Sequence, residues 1–131
     1  MILYQAMIPL NPKTKKNNQK IIKNMRTGSL MVVQNDAYKQ YEAQAGWFLR
    51  KKPSEPISVP VQVKCLFYRK NAIRCDLTNL LEAVDDILVK YGILKDDNFK
   101  VIYSHDGSRV FIDKDNPRTE IVIEDIRSYN L

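Results

Sequence analysis

Between Val59 and Gly92 the apolar residues change period, and this change constrains the fold more than any other feature of the sequence. From Val59 to Arg69 they alternate, with Val61, Val63, Cys65 and Phe67 on one face and Gln62 and Lys64 on the other, as in a strand that buries one side. After a polar break at Asn71 to Arg74 they return at helical spacing as Leu80, Leu81, Val84, Ile87 and Leu88, and Gly92 follows as a C-cap. A one-sided strand running into an amphipathic helix calls for a sheet that the helix covers.

The remaining segments fit that plan. Ile2 to Ile8 reads as an opening strand, stopped by Pro9 and Pro12, and Lys20 to Gln34 as a hairpin turning at Thr27 and Gly28. A first helix is expected to start at a capping Asp36, to carry Tyr38, Tyr41, Ala45, Phe48 and Leu49 at helical spacing, and to end at Pro53. Phe99 to Ser104 and Thr119 to Asp125 read as two further strands. The order β, β-hairpin, α, β, α, β, β predicts an α+β protein: a single small domain, a mixed β-sheet with two main helices packed on it. At 131 residues, 44% of them hydrophobic, the chain suits one core, and no repeat or linker divides it. Residues 1–131 are therefore expected to be one domain, with a basic N-terminal loop and hairpin at about 9–34.

No apolar run approaches the roughly 20 residues of a membrane span, and the first residues lack a signal-peptide pattern, so a cytoplasmic protein without a membrane partner is expected. Cys65 and Cys75 do not form a Cys-x-x-Cys pair, and His105 is the sole histidine, which argues against a zinc site and for reduced, structural thiols. The net charge of +6 is unevenly placed. Met1 to Asn35 holds six basic residues (Lys13, Lys15, Lys16, Lys20, Lys23, Arg26) and no acid, while from Asp36 onward 15 basic residues balance 15 acidic ones. Such a segment suits a polyanion, because each cation that meets a phosphate releases condensed counterions; it also reads as a solvated basic arm.

Acids gather elsewhere, at element ends: Asp76 within Arg74-Cys75-Asp76-Leu77-Thr78-Asn79, and Asp96-Asp97 beyond the helix. Magnesium takes hard oxygen ligands and keeps several waters, so one or two carboxylates plus phosphate oxygens complete its shell. On the helix, Glu82 and Asp86 share a face with Asn79 and Ala83, while Asp85 points elsewhere and reads as solvated. Each piece has a plainer reading: Asn79 with Glu82 fits a capping box, and Asp96-Asp97-Asn98 fits a turn. His105, beside an acid, suits a general base, but it also suits a polar residue closing a strand before Asp106-Gly107.

Taken together, Asp76-Leu77-Thr78-Asn79-Leu80-Leu81, then Asp86-Ile87-Leu88, Gly92 and Asp96-Asp97 resemble in order and spacing the RusA family of Holliday junction resolvases. That family's pattern is Asp-x-Asp-Asn-Leu, a helix with Asp-Ala-Leu, a glycine and an Asp-Asp pair. Pro9 to Asn17, Tyr38 and Tyr41 extend the resemblance over most of the chain. Thr78 stands where the family has its second acid and Glu82 where it has a lysine. A phage-borne branch is similar in its Asp-Leu-Thr-Asn and in a later stretch seen here as Ser104 to Arg109 and Asn116 to Arg118.

The resemblance implies an endonuclease that cuts paired strands of four-way DNA junctions in recombination and repair, with Mg2+ or Mn2+, as a homodimer and without an organic cofactor. It implies Asp76 and Asp97 as catalytic metal ligands, and Asp96 and Asp86 as supporting or alternative ligands. Asp86 or Asp106 is expected to supply the carboxylate that Thr78 does not, with Glu82 and His105 as further candidates for a compensating acid or base. Lys13, Lys15, Lys16, Arg74 and Arg109 are candidates for holding the DNA backbone, and Arg118 for a phosphate contact. Two other functions remain open: a branched-DNA-binding protein of the same fold that has lost cleavage, and an RNA-binding module. The latter requires exposed aromatics on a sheet face, and no strand reads that way.

Overall fold

The computed structural model describes residues 1–15, 19–34 and 36–129, without the side chains of residues 19–21 and 32–34. Its elements run β1 (Ile2–Ile8), β2 (Gln19–Lys23), β3 (Leu30–Gln34), α1 (Asp36–Phe48), β4 (Val61–Arg69), α2 (Leu77–Lys90), β5 (Ile102–Ser104), β6 (Arg109–Ile112) and β7 (Arg118–Asp125). The main sheet is mixed: β1 pairs β7 and β7 pairs β4, both antiparallel, while β5 and β6 lie parallel to successive halves of β4. β2 and β3 form a separate antiparallel hairpin. The fold is the α+β arrangement that the order of periodic segments implies.

Alternation in β4 and β7 decides where the core lies. Val61, Val63, Cys65 and Phe67 are buried and stand in register with the β7 face that carries Thr119, Ile121 and Ile123. One cluster joins them to Tyr38, Tyr41, Ala45 and Leu49 near α1 and to Leu80, Val84, Ile87 and Leu88 of α2. Both helices therefore cover the same side of the sheet, and the alternate residues Gln62, Lys64, Leu66 and Tyr68 stay partly exposed on the other.

Several boundaries differ from the sequence reading. Asp36 lies inside the first turn of α1, where its charge meets the positive end of the helix. That helix stops at Phe48, well short of Pro53, with Leu49 N bonded to Gly46 O at 3.1 Å. Phe99 is not in a strand. Asn98 accepts from Lys100 N at 2.9 Å through its side chain and from Val101 N and Ile102 N at 3.0 Å through its carbonyl, and this turn delays β5 to Ile102. β6 has four exposed residues and no alternation to mark it. Gly92 does close α2: its φ of 77° suits glycine, and Ile93 N then bonds Leu88 O at 2.9 Å.

Gly46 marks where α1 meets the end of α2. A methyl group there would stand 2.4 Å from the ring of Tyr91, whose hydroxyl donates to Glu42 O at 2.9 Å. Gly46→Ala is therefore expected to cost about 1–3 kcal/mol through overpacking, despite alanine's better helix propensity, and urea denaturation would read it. A variant as stable as the parent would show that Tyr91 gives way freely.

Candidate active site

The loop from β4 into α2 carries Arg74 and Asp76. It is shaped by Arg69, whose guanidinium donates to Ile73 O, and is tied to the N-terminal segment by Lys70 N donating to Asn11 Oδ1 at 2.9 Å. Asp76 is the N-cap of α2, with φ −84° and ψ 133°. Its carbonyl starts the helix by accepting from Asn79 N and Leu80 N, at 3.1 and 3.2 Å, but its carboxylate makes no capping bond. An exposed carboxylate is thus left available at the positive end of a helix. The Asn79–Glu82 capping box does not form, because the helix begins two residues before Asn79. Thr78 and Glu82 are exposed.

Asp86 is half-buried and paired with Lys15, Nζ to Oδ2 at 2.7 Å. The basic segment therefore crosses from Asn11, at the β4–α2 loop, to Lys15 against the acidic face of α2. Lys13 lines a cavity of about 200 Å³ with Leu10, Asn11, Ala37, Gln40, Tyr41 and Gln44. Lys16 lies outside the described residues. Burial raises the Tyr38 hydroxyl far above its ordinary range, and the charges of Glu42, Asp86 and Glu82 add to this, so α1 faces the acids of α2.

The two neighbouring acids beyond α2 differ. Asp96 accepts from Asp97 N at 2.7 Å and from Asn98 Nδ2 at 3.1 Å. The backbone donor at Asp97 holds its pKa below the usual carboxylate value. Asp97 moves the opposite way: burial raises its pKa first, then the hydrogen bond with Asp96, then the charge of Asp86. Asp97 and Asp86 thus feel one another, and Lys15 supplies the cation paired with Asp86.

Asp76 stands apart from this pair. Ten residues of helix separate it from Asp86, about 15 Å along the axis at 1.5 Å per residue, so one ion cannot bridge the two within a single protomer. Asp86 is therefore not the compensation for Thr78 beside Asp76 in the same chain. Among the described residues no group of three or more histidine, cysteine, aspartate or glutamate side chains is gathered to hold a metal ion. The donors still fit magnesium chemically, since it accepts one or two carboxylates and completes its shell with water and phosphate.

Asp85 is not solvated. It bonds His105, Oδ2 to Nε2 at 2.9 Å, while His105 Nδ1 lies 2.9 Å from Val63 O, so the pair clamps α2 to the middle of β4. A carbonyl only accepts, which fixes a proton on Nδ1; the second bond then needs another proton between Nε2 and Asp85. Burial raises Asp85, and for His105 the bonds from Asp85 and Val63 outweigh burial and raise it too. With both nitrogens engaged, His105 is placed as a structural bridge. Asp106 is exposed in the following turn and Arg109 is exposed at the start of β6. Arg118 bonds Asp113 and Glu120, at 3.0 and 2.7 Å, and covers the Tyr68 ring, an arrangement that leaves it poorly placed for phosphate.

No curated protein sequence matches the chain significantly. The family described as Endodeoxyribonuclease RusA matches residues 9–124, from the entry to the basic loop through the end of β7. With acids at both ends of α2 and a basic loop against that helix, the chain belongs to the RusA endodeoxyribonuclease family.

Proposed function

We propose that the protein is a metal-dependent resolvase of four-way DNA junctions, hydrolysing one phosphodiester in each of two opposed strands with magnesium or manganese. The observation that carries this reading is the contact of the basic loop with the acidic helix at Lys15 and Asp86, which brings the basic segment of the chain to the acids of α2. Asp97, with Asp86 and Asp96 in support, would hold an ion, and Asp76, remote from that pair in the same chain, would be a separate ligand position, with Asp106 the remaining acid to offset Thr78. Bound there, the metal would polarise the phosphodiester and lower the pKa of a water. Lys13, Lys15, Lys16, Arg74 and Arg109 would grip the backbone, giving affinity that falls steeply with salt. His105 and Asp85 do not exchange protons with substrate in this scheme; they hold α2 on the sheet.

A homodimer follows from the task, since two matched cuts in a junction of approximate two-fold symmetry need two sites related by a similar axis.

The test is cleavage of a labelled synthetic four-way junction against matched linear duplex, with magnesium, manganese or chelator, and with Asp76→Asn as control. Paired, metal-dependent nicks confined to the junction and lost in the variant are expected. Tight junction binding without cleavage in either metal would replace this reading with that of a branched-DNA-binding protein, marked by Thr78 and Glu82.

A further inference from the structure

The face of the sheet opposite the helices carries a row of three planar groups that the sequence pattern does not reveal. Arg118 on β7 and Phe111 on β6 are both register partners of Tyr68 on β4. The Arg118 guanidinium lies 3.7 Å from the Tyr68 ring centroid. On the other side Phe111 stacks on Tyr68 with ring centroids 4.9 Å apart and an interplanar angle of 17°. Asp113 and Glu120 hold Arg118 from two directions, so the inner end of the stack is fixed.

The outer end is open. Among the described residues β6 pairs with no strand but β4, and Phe111 is 39% exposed even with Tyr68 against its ring. Part of the Phe111 ring therefore remains accessible at the end of the stack. Arg109 is exposed two residues earlier on the same face of β6, and Lys70 and Lys114 are exposed just past the ends of β4 and β6. An aromatic platform flanked by cations is how proteins hold single-stranded nucleic acid, because every base has a π-face and every nucleotide a phosphate. The row also lies on the half of β4 that leads into Arg74 and Asp76, six and eight residues beyond Tyr68.

From this we infer that Phe111, backed by Tyr68 and Arg118, is a stacking subsite for an unpaired nucleobase of the DNA substrate. The inference rests on the nuclease reading and deepens it. In a perfect duplex the bases are paired and stacked inside, whereas a branch point offers bases with a lower cost of unstacking. The platform thus favours branched and single-stranded DNA over linear duplex.

Binding with chelator present, to a four-way junction, a single strand and a linear duplex, tests this apart from catalysis. Phe111→Ala and Phe111→Leu are expected to weaken junction and single-strand binding about five- to a hundredfold and leave duplex binding within about twofold, while Phe111→Trp retains parental affinity. Leucine keeps the apolar volume without the ring and guards against a folding defect in the alanine variant. Equal weakening on all three DNAs, or none, would overturn the subsite. So would loss of dimer in Phe111→Ala by sedimentation, which would make this edge a contact between copies. Failure of the parent protein to bind branched DNA would instead remove the nuclease reading, and the subsite with it.

Discussion

Asp97→Asn is expected to lower metal-dependent junction cleavage by about a hundred- to a thousandfold, since a metal acting as Lewis acid is worth several kcal/mol and each 1.36 kcal/mol is tenfold. Its environment argues for this rank. Burial, the hydrogen bond with Asp96 and the charge of Asp86 raise the Asp97 pKa, so its carboxylate is one that a divalent ion would stabilise. Asp96→Asn is expected to stay within about tenfold of the parent, because the asparagine carbonyl still accepts the Asp97 N–H. The neutral side chain at 97 should also raise the magnesium concentration needed for half-maximal rate. Single-turnover cleavage across a magnesium titration reads both effects. Parental rates in Asp97→Asn, or a greater loss in Asp96→Asn, would transfer the ligand role away from Asp97.

The fold was legible where one element carried one period. The alternation of Val61 to Phe67 and the stripe of Leu80 to Leu88 placed β4 and α2, because burial on one face writes itself into every second or every third-to-fourth residue. β6 was not legible: four residues paired along half of one neighbour need no buried face, and none of its side chains is buried. The stack of Tyr68, Phe111 and Arg118 was invisible for a related reason, since its members lie 43 and 7 residues apart and only the register of β4 joins them. Parallel β6 beside β4 supplies the aromatic grouping on a sheet face that no single strand displays. Among the acids, spacing along α2 could show that Asp76 and Asp86 are remote, but not that Lys15 returns to cover Asp86. Asp85 carries a signal in the sequence. It stands four residues after Leu81 and three before Leu88, beside the apolar stripe, so a partner had to be found for it, and the sole histidine is that partner.

That pair yields the second large effect. Asp85→Ala is expected to destabilise the protein by about 3 kcal/mol, because it leaves a buried imidazole facing a cavity in place of an ion-pair partner. The side chains are only 25% and 15% exposed, so water replaces the lost bond poorly. Asp85→Asn should cost far less: its Nδ2 can donate to Nε2 of a neutral His105 while Nδ1 keeps its bond to Val63 O. The two variants then differ in pH dependence as well as in size. In the parent the folded pKa of His105 is raised above 6.5 and that of Asp85 above 3.8, so the folded state holds the shared proton more tightly than the unfolded chain does. The His105 contribution is complete below pH 6.5 and is lost as pH rises through the raised value, because the deprotonated Nε2 then presents a lone pair to a carboxylate. Urea unfolding at intervals from about pH 6 to pH 9 should show the parent losing stability relative to Asp85→Asn, in which no shared proton remains to be lost. Parallel profiles for parent and Asp85→Asn would mean that the pair carries no extra proton, and that the clamp between α2 and β4 is held by packing alone.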